Sequence, residues 1–220
     1  MAEDGFESFP KIHRLSREAI ITEKLDGTNA QITILDCQDP LREGPMGAFE
    51  IANNGNGLVM YAGSRTRWIM PGKTTDNYGF AGWVRNNAED LFSLGIGTHY
   101  GEWWGQGIQR GYGLKEKRFS LFNVARWGDL EHRIGTMDSD VNAVKRQRPA
   151  CCHVVPVLGS GIFDTNAVEV GLSLLRIQGS YAAPGFMNPE GVVVFHVASR
   201  TPFKKTLEKD EEPKSKQKAS

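Results

Sequence analysis

Glu23-Lys24-Leu25-Asp26-Gly27-Thr28-Asn29 runs directly into the alternating stretch AQITIL at residues 30–35. Apolar and polar side chains alternate from Ala30 to Ile34, the pattern of a half-buried strand. Asp26-Gly27 is a turn-forming pair. The segment therefore reads as a strand that ends at Lys24, a sharp turn, and a second strand leaving it. A lysine in that position can face a pocket. An ordinary lysine has a pKa of about 10.4, so only on the order of a few parts in ten thousand is free amine at neutral pH. A nucleophilic lysine needs neighbouring cations or desolvation to become reactive. Without such neighbours, a lysine before Asp-Gly is a solvated strand end.

Outward from this segment, residues 58–62 (LVMYA), 119–125, 153–158 and 191–197 (GVVVFHV) carry the β-branched and aromatic content of strands. Residues 78–92 place Phe80, Trp83, Val84, Ala88, Leu91 and Phe92 near one helical face, and residues 165–178 do the same with Val168, Leu172 and Leu175. Asp164 is positioned to cap the second helix and Gly179 to end it. Strands outnumber helices without alternating with them, which predicts an α+β domain built on antiparallel sheet. Residues 36–57 hold Pro40, Gly44, Pro45, Gly47, Asn53, Asn54, Gly55 and Asn56, a turn-rich insertion expected to form a surface loop or irregular hairpin. The division expected is a domain over 1–206 followed by a charged, flexible tail over 207–220 (LEKDEEPKSKQKAS is its sequence).

The 220 residues suit one large domain, with 40% hydrophobic and 24% charged residues and no apolar run of membrane-spanning length. Lys plus Arg equals Asp plus Glu at 26 each, so any nucleic-acid surface has to come from local segregation of charge. The N-terminal residues lack the apolar centre of a signal peptide. Three cysteines and no Asn-x-Ser/Thr acceptor suggest a reducing, cytoplasmic setting.

Beyond this point the segments gain meaning as a set. KLDGTN at residues 24–29 resembles the nucleotide-accepting Lys-x-Asp-Gly motif of DNA ligases, RNA ligases and mRNA-capping enzymes, and its Thr-Asn ending is most similar to RNA ligases. Five further elements resemble the same families in the same order. They are Ser64-Arg65-Thr66-Arg67, Tyr100-Gly101-Glu102-Trp103-Trp104-Gly105, Arg118-Phe119-Ser120-Leu121-Phe122-Asn123-Val124, Pro189-Glu190-Gly191-Val192-Val193 and Phe203-Lys204-Lys205-Thr206. Each element is short; the specificity lies in the ordered set. Asn123 stands where the family usually has Asp, and Lys204-Lys205-Thr206 where it has Lys-x-Lys, so Lys204 carries over more firmly than Lys205.

The resemblance implies an antiparallel-sheet nucleotidyltransferase domain of ATP-grasp-like architecture that joins 3′-OH and 5′-phosphate RNA ends through lysyl-AMP. It implies ATP and Mg²⁺ (or Mn²⁺) as cofactors and nucleic-acid ends, nicked or bridged, as partner. Lys24 is the implied nucleophile, with Lys204 neutralising charge on the phosphate. Glu102 is implied to hold the ribose, Phe122 to stack on adenine, Arg65 to contact phosphate or ribose, and Glu190 to bind the metal. Glu23, Asp26, Gly27, Asn29 and Lys205 complete the implied nucleotide site. A DNA ligase, a capping guanylyltransferase or a non-catalytic nucleic-acid-binding module are the alternatives. The first two generally carry a further domain after the closing lysines, and 16 residues follow Lys204 here.

Other signals carry less. Adjacent Cys151 and Cys152 cannot easily share one tetrahedral zinc, so Cys151-Cys152-His153 reads as a buried strand. The stretch Gly105 to Gly113 fits no phosphate-loop pattern and reads as a flexible loop. Arg110, Lys115, Lys117, Arg118, Arg126, Arg133, Lys145, Arg146 and Arg148 are candidates for a backbone-tracking surface or for a solvated face.

Overall fold

The computed structural model describes residues 9–38, 44–128, 148–208 and 210. Strand β1 (Glu18–Lys24) belongs to one sheet and β2 (Thr28–Asp36) to another, so the three residues 25–27 carry the chain across. The second sheet also contains β3 (Glu50–Asn53), β4 (Leu58–Ser64), β5 (Trp68–Ile69), β6 (Gly97–Gly105), β7 (Lys117–Leu121) and β8 (Cys152–Val154). Its order is β3-β4-β2-β6-β7-β8, with β5 on β4. The first sheet has the order β11-β10-β1-β9, with β9 (Val157–Ile162), β10 (Gly191–His196) and β11 (Thr201–Thr206). Among the described residues every pairing is antiparallel except β7 with β8. The expected antiparallel α+β class is what the chain adopts.

Helices cover one face of each sheet. The expected helix over 165–178 is α4 (Thr165–Gln178), and Asp164 Oδ1 accepts from the Asn166 amide at 3.0 Å to cap it. Its Val168, Leu172 and Leu175 pack on Ile21, Val192 and Val194 of the first sheet. Burying each such side chain stabilises by roughly 1.5–3 kcal/mol. The expected helix over 78–92 is instead two short pieces, α1 (Phe80–Asn86) and α2 (Ala88–Leu91), followed by a 3₁₀ turn over Phe92–Leu94. The break is at Asn87, whose side-chain amide donates to the Trp83 carbonyl at 2.8 Å, a local bond that competes with helix continuation. These pieces bury Phe80, Val84 and Leu91 against Ile32, Ile34, Trp103 and Phe119 of the second sheet.

Two expected strands are corrected. Over 119–125 the strand stops at Leu121, because Asn123 caps α3 (Val124–Trp127), its Oδ1 accepting from the Arg126 amide at 3.0 Å. Over 153–158 the chain leaves the second sheet after Val154 and enters the first at Val157. Pro156, with no amide hydrogen to give a ladder, sits at that crossing, and its carbonyl accepts from the Glu23 amide at 2.9 Å. Both crossings meet in a third apolar cluster of Leu25, Trp104, Tyr112, Val155 and Ala183. Adjacent Trp103 and Trp104 thus enter different cores, as strand alternation requires.

The insertion over 36–57 supplies one arm of an irregular hairpin: its β3 pairs with β4, which begins just past it at Leu58, through a register irregularity between Glu50 and Ala52. Residues 39–43 of that insertion, and residue 209 with 211–220 of the expected tail, lie outside the described residues.

Candidate active site

Strand β1 pairs with β10 so that Lys24 lies opposite Gly191. Glu190 therefore stands beside the lysine although 166 positions away, and Lys24 Nζ donates to Glu190 Oε2 at 2.6 Å. The Glu190 side chain is 3% exposed and that of Lys24 18%, so the pair is largely withdrawn from water but still reachable. Removing one partner of such a pair strands the other charge in a poorly solvated place.

The same register sorts the neighbouring residues by face. Thr22 pairs with Val193, and Val193 with Lys204, which puts Lys204 on the Lys24 face of the sheet. Lys205 pairs with Val192, a residue of the α4-side core, and its ammonium donates to Glu169 Oε1 on α4 at 2.5 Å. Glu23 also points to the α4 side. Its Oε2 accepts from the Tyr181 and Ala182 amides at 2.9 and 3.0 Å, bracing the turn after α4. Burial pushes the Glu23 carboxyl up, opposed by the Ser180 hydroxyl and these two amides. Lys205 and Glu23 are thus not brought to the Lys24 face.

The second sheet supplies the other wall. Register places Asn29, Glu102 and Ser120 side by side on β2, β6 and β7. Glu102 Oε1 accepts from the Gly27 amide and Oε2 from the Asn29 side-chain amide, both at 3.1 Å. The reason for glycine at 27 is close approach. A Cβ there would stand 2.4 Å from the Trp103 carbonyl oxygen and 2.7 Å from Trp104 Cβ. Asp26 is held from two sides, its amide donating to the Tyr112 hydroxyl at 2.8 Å and its Oδ2 accepting from Arg110 Nε at 3.1 Å. Tyr112 is buried, and burial pushes its phenol well above the usual range.

Phe122 follows β7 directly, and its amide donates to the Tyr100 carbonyl on the Glu102 strand at 3.0 Å. It keeps 40% of its surface exposed, which leaves its ring accessible for stacking on a planar ligand. Arg65 is exposed in the turn after β4, one residue past the Ser64–Ala30 pair and so beside the start of β2. Asn123, as the α3 cap, is used structurally.

Lys117 donates to the Tyr78 carbonyl at 2.7 Å, Arg126 to that of Leu94 at 2.6 Å, and Arg118 to that of Ala182 at 3.4 Å. Part of the basic cluster therefore ties the chain to itself. Arg133, Lys145 and Arg146 lie outside the described residues. Cys152 is buried in the main core and Cys151 packs against it.

Residue by residue, then, a lysine and a glutamate meet at the junction of two sheets, with a second glutamate, an asparagine and an exposed aromatic on the adjoining wall. The RNA ligase family model matches residues 17–206, most of the chain. The chain belongs to the RNA ligase family. Structures of Naegleria gruberi RNA ligase are similar at low identity. One variant with ATP and Mn shows 17% identity and a TM-score of 0.49, covering 86% of this chain and 48% of its own. Another with AMP and Mn shows 16% identity and a TM-score of 0.48, with coverages of 87% and 50%. The chain spans about half the length of these RNA ligases. No curated protein matches it.

Among the described residues no group of three or more His, Cys, Asp or Glu side chains could hold a metal, and no helix is long and apolar enough to cross a membrane. A single buried carboxylate suits Mg²⁺ or Mn²⁺ of the kind that keeps its waters and binds substrate phosphates. Glu190 fits that description for this RNA ligase family chain. Tyr112 has no role in the sequence reading, and Arg110 enters it only as a candidate for a backbone-tracking surface or a solvated face, not as the partner of Asp26. Both lie in the glycine-rich stretch, where Gly111-Tyr112-Gly113, a large aromatic between glycines, was the available signal.

Proposed function

We propose that this chain is an ATP-dependent RNA ligase whose residues 1–206 form an adenylation domain of ATP-grasp-like architecture, with 207–220 as a polar extension. The observation that carries the reading is the 2.6 Å contact of Lys24 with Glu190. In the first step the Lys24 amine, having given up a proton, attacks the α-phosphorus of ATP. A P–N bond forms, the P–O bond to pyrophosphate breaks, and lysyl-AMP results. In the second step an RNA 5′-phosphate displaces Lys24 from AMP. In the third, an RNA 3′-OH attacks that adenylylated end and AMP leaves.

A divalent cation at Glu190 would supply positive charge at the α-phosphate. Paired as an ammonium with Glu190, Lys24 cannot attack. The reaction therefore requires that ammonium to lose a proton to solvent, which a cation beside Glu190 would favour. Lys204, from its place on the Lys24 face, compensates the negative charge that grows on the phosphate oxygens. Phe122 stacks on the adenine, Arg65 contacts phosphate or ribose, and Asn29 and Glu102 meet the ribose. Asp26 and Gly27 shape the loop that carries the nucleophile.

The test is incubation with ATP labelled at the α-phosphate and Mg²⁺, followed by denaturing electrophoresis. Wild type should take up label and Lys24→Ala should not, while remaining folded. Equal labelling of the two ends the proposal; labelling by GTP alone points to a capping-type enzyme. Nicked duplexes differing only in the sugar at the 3′-OH side then test the substrate. Faster joining of the all-DNA nick overturns the RNA assignment and leaves lysyl-AMP standing.

A further inference from the structure

Arg110 lies in the segment between β6 and β7, a loop whose order is built in. Ile108 is buried in the main core and Tyr112 in the cluster between the sheets, so the loop is anchored on both sides of Arg110. Its backbone is folded on itself, with Ile108 N donating to Gly105 O at 3.0 Å and Gly111 N to Ile108 O at 2.9 Å. Gln109 and Tyr112 have positive φ values of 45° and 52°, between glycines that accept such angles freely. A loop held in this way presents its arginine in a defined place.

From there one guanidinium spans the two chain segments that flank the Lys24–Glu190 pair. Nε donates to Asp26 Oδ2 at 3.1 Å, two residues after Lys24. Nη1 donates to the Asn188 carbonyl at 3.0 Å and to Asn188 Oδ1 at 2.7 Å, two residues before Glu190. A weaker contact of 3.5 Å reaches the Pro189 carbonyl. The planar fork of arginine can serve both segments at once, which a lysine's point charge cannot.

We infer that Arg110 is a positioning residue for lysine adenylylation: it holds the Asp26 loop and the 188–190 segment together and so sets how Lys24 and Glu190 face one another. The inference rests on the ligase reading above. Arg110 bonds to the segments that flank Lys24 and Glu190, so its loss should displace the reacting groups more than the adenine and ribose contacts on the second sheet. A misplacement of about 1 Å costs roughly a hundredfold in rate.

The experiment measures single-turnover adenylylation with ATP and Mg²⁺ in full-length wild type, Arg110→Ala, Arg110→Lys, Asn188→Ala and the Arg110→Ala/Asn188→Ala double variant. Arg110→Ala should lower the maximal rate about tenfold or more with half-saturating ATP within about twofold of wild type, and should need more Mg²⁺ for half-maximal rate. Arg110→Lys should restore little, and free guanidinium ion at non-denaturing concentration should restore part of the Arg110→Ala rate. Asn188→Ala, which removes the Oδ1 bond and keeps the carbonyl bond, should be slower than wild type by less than Arg110→Ala is, and should add nothing to Arg110→Ala, because its side chain acts through that guanidinium. Should Arg110→Ala not fold, Asn188→Ala decides the matter alone. A wild-type rate in Arg110→Ala or Asn188→Ala, multiplying losses in the double variant, or a loss confined to ATP affinity overturns the inference. If wild type itself takes no label, the ligase reading falls and the inference with it; if wild type labels and the variants match it, only the inference falls.

Discussion

Gly27→Ala adds one methyl group to the loop that carries Lys24, and the structure sets the size of its effect. The new Cβ would stand 2.4 Å from the Trp103 carbonyl oxygen, 2.7 Å from Trp104 Cβ and 3.0 Å from Glu102 Cγ. Real Cβ contacts essentially never fall below 3.0 Å, so about 0.6 Å of movement is the minimum that relieves the closest one. Trp103 and Trp104 are 2% and 1% exposed and fill two different cores, so neither can move away cheaply. The loop must move instead, and with it the Gly27 amide that donates to Glu102. Overpacking of this kind costs about 1–3 kcal/mol, which for a chain of this size lowers Tm by roughly 2–12 °C. Displacing the nucleophile by a sizeable fraction of an ångström should slow adenylylation by on the order of tenfold to a hundredfold. A melt followed by circular dichroism and a rapid-quench labelling assay on the same preparation measure the two effects. A Gly27→Ala protein that melts low yet labels at the wild-type rate would refute the claim that close packing of this loop positions Lys24. One that matches wild type in both would refute the contact geometry.

Other substitutions divide the site by face and by charge. Lys204→Ala should reduce adenylylation by about a hundredfold or more, whereas Lys205→Ala, on the α4 side, should change it little; single-turnover labelling of both checks the strand register. Glu102→Gln replaces an acceptor that serves both the Gly27 amide and Asn29 with a group whose amide end repels one of them, an expected loss of about 1–3 kcal/mol in transition-state stabilisation, read as kcat/KM for ATP. Glu23 is raised by burial above the ordinary 4.5, so the folded protein holds its proton more tightly than the unfolded chain. Its contribution is fully present at acid pH and is lost as pH rises through the folded value. Tm of wild type should therefore fall relative to Glu23→Gln as pH rises above 4.5, and a difference that does not change with pH refutes the burial argument.

Local sequence carried the chemistry of this site further than its geometry. The turn at Asp26-Gly27 was legible because a strand pattern runs into it and another leaves. Helix α4 was legible with its cap and its end, since the capping carboxylate, apolar spacing and terminal glycine all lie within one stretch. The helix over 78–92 and the strand over 119–125 end short of their expected spans for a shared reason. Asn87 and Asn123 use their side chains on nearby backbone, Asn87 on the Trp83 carbonyl and Asn123 on the Arg126 amide, and so end elements that apolar spacing would continue. Over 153–158, Pro156 was visible in sequence, but nothing local says that the strands on either side of it belong to different sheets.

By itself, then, the sequence determined the antiparallel α+β class, and its short patterns and their order supplied the residues proposed for the site, Lys24, Glu102, Phe122, Glu190 and Lys204. Tertiary structure alone decided which face of the sheet each of two adjacent residues takes. Glu23 and Lys24 are neighbours, as are Lys204 and Lys205. Their faces follow from pairing with β10 and from the packing of α4 on one side of that sheet. Arg110 makes the same point over a longer span, for its partners lie 84 and 78 positions away. A strand's alternation states that successive side chains face opposite ways, but which way is inward depends on contacts that no local stretch contains.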